Sequence, residues 1–98
     1  MYVIVWRFTV KPEAVADFER AYGPAGDWVR IFRNAPGFVR TDLLKDTSQP
    51  NVYLTLDHWR DEAAFAAFNP KANAAYVALD AVCEAYTLHE EKLGAFSA

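Results

Sequence analysis

The chain has little of what staples, chelates or grips nucleic acid. A single cysteine, Cys83, excludes an intrachain disulfide and any zinc site built from several cysteines, and it fits a reducing compartment. The 10 Lys and Arg are scattered among 13 Asp and Glu, giving a net charge of -3 with no Lys/Arg run. Nucleic-acid surfaces depend on clustered cations facing phosphates, so no nucleic-acid partner is expected. No apolar stretch approaches the ~20 residues of a membrane span, so no membrane partner is expected either. The first residues run directly into a strand pattern, without the charged and apolar regions of a signal peptide, and the expectation is a cytoplasmic protein. There is no Ser-His-Asp set, Gly-rich phosphate loop, CxxC pair, internal repeat or linker. His58 and His89 fall on separate predicted strands with no convergent partners, so no metal site is expected.

What the chain has is apolar and aromatic bulk. Its 98 residues are 53% hydrophobic and 15% aromatic. That suits one compact domain over residues 1–98, with a radius of about 13 Å. A domain this short buries a smaller share of its surface than a larger one, so self-association would help it.

Period-two and helical-period patterns divide the chain. Residues 2–11 alternate Tyr2, Ile4, Trp6, Phe8 and Val10 against Val3, Val5, Arg7, Thr9 and Lys11. Pro12 suits a first helical position, and Val15, Phe18 and Tyr22 make a stripe that Gly23-Pro24 ends. Asp27 is the expected N-cap of a short second helix through Trp28, Ile31, Phe32 and Ala35, stopped by Pro36-Gly37. Residues 38–45 and 51–59 read as two strands joined by turn residues 46–50. In the second of these, Val52, Leu54 and Leu56 oppose Tyr53, Thr55, Asp57 and Trp59. Asp61 is the expected cap of a further helix bearing Phe65 and Phe68. Asn69-Pro70 interrupts it, and Ala72, Ala75, Tyr76, Leu79 and Cys83 continue a helical stripe. A last strand follows over residues 85–96.

The order β-α-β-β-α-β predicts an α+β, ferredoxin-like fold with a four-stranded antiparallel sheet. Right-handed crossovers place all helices on one sheet face. The other face keeps apolar residues without cover, and such patches usually mark contacts. A homodimer through that open sheet face is expected.

Four motifs resemble those of the antibiotic biosynthesis monooxygenase (ABM) domain. They are Trp6-Arg7-Phe8-Thr9-Val10-Lys11-Pro12, Tyr22-Gly23-Pro24-x-Gly26-x-Trp28, Pro36-Gly37-Phe38, and Tyr53-Leu54-Thr55-Leu56-Asp57-x-Trp59. The resemblance spans nearly the whole chain. It implies a dimeric α+β barrel in which each subunit holds a cavity between helices and sheet. Some members of that family oxygenate polyketide-derived phenols or quinols without metal or flavin. Others bind and degrade haem with an Asn on the first strand, a Trp ending the third strand and a His on the next helix. By position, Trp59 matches that tryptophan, Trp6 occupies the asparagine position and Tyr76 falls near the histidine. Two of the three haem-site residue types therefore differ, and no cofactor is expected.

The candidate catalytic residues are Trp59, Tyr76, Asp57 and His58. The candidate substrate-binding residues are Trp6, Trp28, Phe32, Phe65 and Asn73, with Asn69 near the last. Trp59 can stack on an aromatic ligand or simply close the sheet edge. Tyr76 can orient a ligand hydroxyl or belong to the core. Asp57 is a carboxylate on Trp59's strand face, with a raised pKa if buried, or else the partner of a cap or an arginine. His58 is a possible general base or a surface histidine. Trp6, Trp28, Phe32 and Phe65 can line a cavity for a flat apolar molecule or fill it. The expected function is a cofactor-independent monooxygenase of a small aromatic or polyketide-type substrate. The alternatives are a non-catalytic module binding haem or another apolar molecule, and a closed core with no pocket.

Overall fold

A computed structural model describes residues 1–98. Strands β1 (Tyr2–Val10), β2 (Phe38–Lys45), β3 (Val52–Trp59) and β4 (Thr87–Ser97) form one antiparallel sheet in the order β2-β3-β1-β4. Helices α1 (Val15–Tyr22) and α2 (Asp27–Phe32) connect β1 to β2, and α3 (Glu62–Phe68) and α4 (Ala74–Cys83) connect β3 to β4. This is the ferredoxin-like plan that the element order implies. None of the helices is long and apolar enough to cross a membrane.

Alternation decides which strand residues meet the helices. Ile4, Phe8 and Val10 of β1 and Tyr53 and Trp59 of β3 join Phe18, Ala21, Tyr22, Trp28, Phe32, Ala64 and Cys83 in one core. The antiparallel register pairs Trp6 with Thr55, and Asp57 with both Ile4 and Thr41, so these side chains share the helix-facing side. The opposite side carries Val3, Val5, Val52, Leu54, Leu56 and Phe96, with no helix over it.

Local chemistry sets the helix ends with one departure from expectation. Asp61 caps α3, its Oδ1 accepting from the Ala64 N–H at 2.8 Å. Asp27 caps nothing. Gly26 holds the N-cap position, and Asp27 sits inside the first turn, paired with Arg30 at 2.7 Å. The reason is space: a Cβ at residue 26 would lie 2.4 Å from the Arg20 carbonyl oxygen, so only glycine lets α2 start against the end of α1. Helix α2 also stops at Phe32 rather than continuing to Ala35.

Candidate functional site

Between the helix-facing side of the sheet and helices α1, α2 and α4 lies a small cavity of about 70 Å³. Its floor is the paired strands: Trp6 and Phe8 of β1, Thr55 and Asp57 of β3, Thr41 of β2. Tyr22, Trp28 and Phe32 form one wall, and Tyr76 and Asp80 of α4 the other. Glu90 of β4 completes it. The aromatic walls touch one another: the rings of Trp28 and Tyr76 are 4.8 Å apart, edge to face, and Trp28 and Phe32 are 5.9 Å apart. The space is well below the several hundred Å³ of a typical ligand pocket because these rings close on it.

Asp57 is the chemical centre of the floor. Thr41 Oγ1 donates to its Oδ1 at 2.7 Å. Burial is the main influence on this carboxyl and pushes it up to about 6, against the Thr41 hydrogen bond and the nearby His58, which lower it. Among buried side-chain polar atoms, those fully enclosed without a partner are the indole nitrogens of Trp28 and Trp59. The second oxygen of Asp57 and the hydroxyl of Thr55 make no hydrogen bond within the chain and are not enclosed, so they open onto the cavity. Thr55 as a residue is only 3% exposed. The Tyr76 phenol is pushed up, first by burial and then by Asp80, Asp57 and Glu90. Glu90 is raised by desolvation, then by Asp80 and Glu84.

Of the residues singled out from the sequence, Trp6, Trp28, Phe32, Asp57 and Tyr76 come together here. The others stand elsewhere. Trp59 is 0% exposed and is enclosed by Phe32, Phe38, Phe65 and Phe68, with ring centroids 5.3–5.7 Å away, behind the cavity rather than on its wall. Phe65 packs there too, against Tyr2 and Trp59. His58 points to the opposite side of the sheet, as period-two alternation after Asp57 requires, and its Nε2 lies 3.0 Å from Asp42 Oδ2. Asn73 caps α4, its Oδ1 accepting from the Tyr76 N–H at 2.9 Å, and borders a separate surface depression next to Pro36, Arg60 and Phe68. Asn69 is the left-handed residue that ends α3.

Six lining residues were not singled out: Phe8, Tyr22, Thr41, Thr55, Asp80 and Glu90. Asp80 had a readable signal, since it follows Tyr76 by four and so shares its helix face. Thr41 is a polar residue between Val39 and Leu43 on its face, and Thr55 stands between Tyr53 and Asp57 on its own face. Glu90 had none, because β4 alternates without a clear apolar side.

Haem does not fit these residues. No histidine lines the cavity, and the Tyr76 phenol and Cys83 thiol are both raised by burial, which disfavours an anionic axial ligand. No three His, Cys, Asp or Glu side chains converge as a metal-ligand set.

A family model described as antibiotic biosynthesis monooxygenase matches residues 1–75. The chain is similar to SnoaB, a cofactor-independent oxygenase from Streptomyces nogalater. One SnoaB structure, of a point variant, shares 30% identity over 99% of this chain and 91% of that one, with a TM-score of 0.80. A second SnoaB structure gives 28% identity, the same coverage and a TM-score of 0.72. A putative antibiotic biosynthesis monooxygenase from Deinococcus radiodurans, 16% identical over 100% of this chain and 92% of its own, has a TM-score of 0.78 and speaks to the fold alone. No curated protein sequence matches the chain.

Proposed function

The chain belongs to the antibiotic biosynthesis monooxygenase family, and from that membership we propose that it is an oxygenase of a small hydroxylated aromatic, of the polyketide kind, working without bound metal or flavin. The observation that carries this reading is Asp57, a carboxylate raised to about 6 on the floor of an aromatic cavity. The likeness to a cofactor-independent oxygenase supports it. Such chemistry needs a substrate that becomes electron-rich when it loses a proton. A base whose pKa lies near the working pH is suited to take that proton. In this reading Asp57 removes it from an activated ring CH₂ or phenol. The anion gives electrons to O₂ directly, a C–O bond forms, and the resulting peroxide loses water. The CH₂ becomes C=O, with one oxygen atom retained and the other released as water. Thr55 and Tyr76 hydrogen-bond the substrate oxygens, and Trp6, Trp28 and Phe32 stack on the ring and keep out water.

Room for the substrate comes from α4. Cys83 is its sole buried residue, and Tyr76 and Leu79 pack on the core only partly buried, so few side chains hold the helix down. The test is oxygen uptake with a panel of anthrones and hydroquinones. Asp57→Asn is expected to lower kcat by roughly a hundredfold or more, the usual scale of general-base catalysis. Tyr76→Phe is expected to lower it less. Uptake that neither substitution changes, or none above the buffer rate, overturns the proposal.

The uncovered side of the sheet is read as the contact for a second copy. Val3, Val5, Leu54, Leu56 and Phe96 supply its apolar middle. Arg7 with Glu91 and Arg40 with Asp42 supply paired charges around it, and His58 Nε2 lies 3.0 Å from Asp42 Oδ2.

A further inference from the structure

The cavity carries charge of one sign. Asp57, Asp80 and Glu90 line it, and no Lys, Arg or His does. Neither Asp80 nor Glu90 is in an ion pair, while Arg7, Arg20, Arg30, Arg40 and Arg60 are all paired elsewhere. Lys92 follows Glu90 on β4, but it does not line the cavity. Asp57 on the strand floor and Asp80 on α4 are both half-buried and Glu90 is exposed, so the carboxylates reach from the floor to the solvent end. All three line the cavity together with Tyr76, and each raises its phenol. The polar atoms left open include an acceptor, the free oxygen of Asp57, and hydroxyls that can give or accept, those of Thr55 and Tyr76 among them. A ligand that satisfies this set brings O–H donors. A ligand that brings a carboxylate meets repulsion at each depth and no cation to answer it.

We infer that the cavity selects uncharged, hydroxyl-bearing aromatics and rejects their carboxylated counterparts, with Asp80 and Glu90 as the specificity-determining residues. This rests on reading the cavity as the substrate site, and it does not depend on oxygenation. Like charges that are partly desolvated repel far more strongly than in bulk water, so the discrimination is large enough to measure.

The experiment is calorimetric titration of the full chain, at neutral pH and low salt, with a dihydroxynaphthalene and with the matching dihydroxynaphthoic acid. The neutral compound is expected to bind roughly tenfold tighter or more. In the double variant Asp80→Asn, Glu90→Gln the gap is expected to narrow, chiefly because the acid binds better. Raising the salt is expected to narrow it in the unsubstituted protein, since screening weakens charge repulsion. Equal affinities overturn the inference. So does a gap that persists in the double variant and at high salt, which would mark a steric cause, and so does binding of neither compound. Discrimination without any oxygen uptake would remove the oxygenase reading and leave this one standing. Oxygen uptake as fast on a carboxylated anthrone as on the neutral one would do the reverse.

Discussion

At the scale of single residues, Asp57 ties stability to function. Its folded-state pKa is raised from 3.8 to about 6, so its contribution to stability is fully present below 3.8 and is lost as pH rises through about 6. A shift of this size corresponds to about 3 kcal/mol. Asp57→Asn is therefore expected to be more stable than the parent near pH 8 and to lose that advantage near pH 4, as measured by urea unfolding at both. In the proposed reaction the same carboxyl is expected to set the pH dependence of turnover, with kcat/KM rising as pH passes about 6. Thr41→Val removes the hydrogen bond that holds the carboxyl down, so that rise is expected to move to higher pH. A profile that stays in place would detach Asp57 from the base role. Trp59 makes the contrasting case. In the sequence it reads either as a pocket wall or as a residue that closes the sheet edge, and four aromatic rings enclose it. Trp59→Ala is expected to cost about 3–5 kcal/mol of unfolding free energy, as large-to-small changes in a core do. Spacing alone could not separate the two roles, because Trp59 and Asp57 lie on the same side of one strand. What differs is which helix residue covers each.

At the scale of elements, turns and caps do the positioning. Gly37 enters β2 with φ +91, and a Cβ there would lie 2.6 Å from the Ala64 Cβ. Its carbonyl also accepts from the Arg60 N–H at 2.7 Å, joining the turn before β2 to the end of β3. Gly37→Ala combines a left-handed backbone with a clash against α3, and is expected to destabilise by about 1–3 kcal/mol. Thermal unfolding checks this; an unchanged Tm would mean that α3 gives way freely. The Pro36-Gly37 stop was legible because glycine and proline act locally. The reach of α2 was not, because its apolar spacing continues to Ala35 while the backbone ends at Phe32. Asn73 shows the same division. It is close to the site in sequence, and its side chain is spent on the α4 N-terminus, which in turn presents Tyr76 and Asp80 to the cavity.

At the scale of the whole molecule, the two sides of the sheet have different needs. One is filled by helices, and the other leaves Val5, Leu54, Leu56 and Phe96 without helix cover, the face read above as the contact for a second copy. Sedimentation at micromolar concentration is expected to give twice the 11.1 kDa of a single chain. A species of one chain's mass overturns that reading. Leu56→Asp, in the middle of the open side, is expected to shift the population toward that mass. The sequence by itself determined the order of elements, the antiparallel hairpin and the two alternating faces of β1, β2 and β3. Those follow from periodicity and turn chemistry, which act over a few residues. Only the tertiary structure decided that Thr41 would meet Asp57, that Glu90 and Asp80 would join it around Tyr76, and that Trp59 would be sealed away. These contacts join residues far apart in the chain, and their geometry depends on strand register and on how α2 and α4 close over the sheet. No local pattern encodes either.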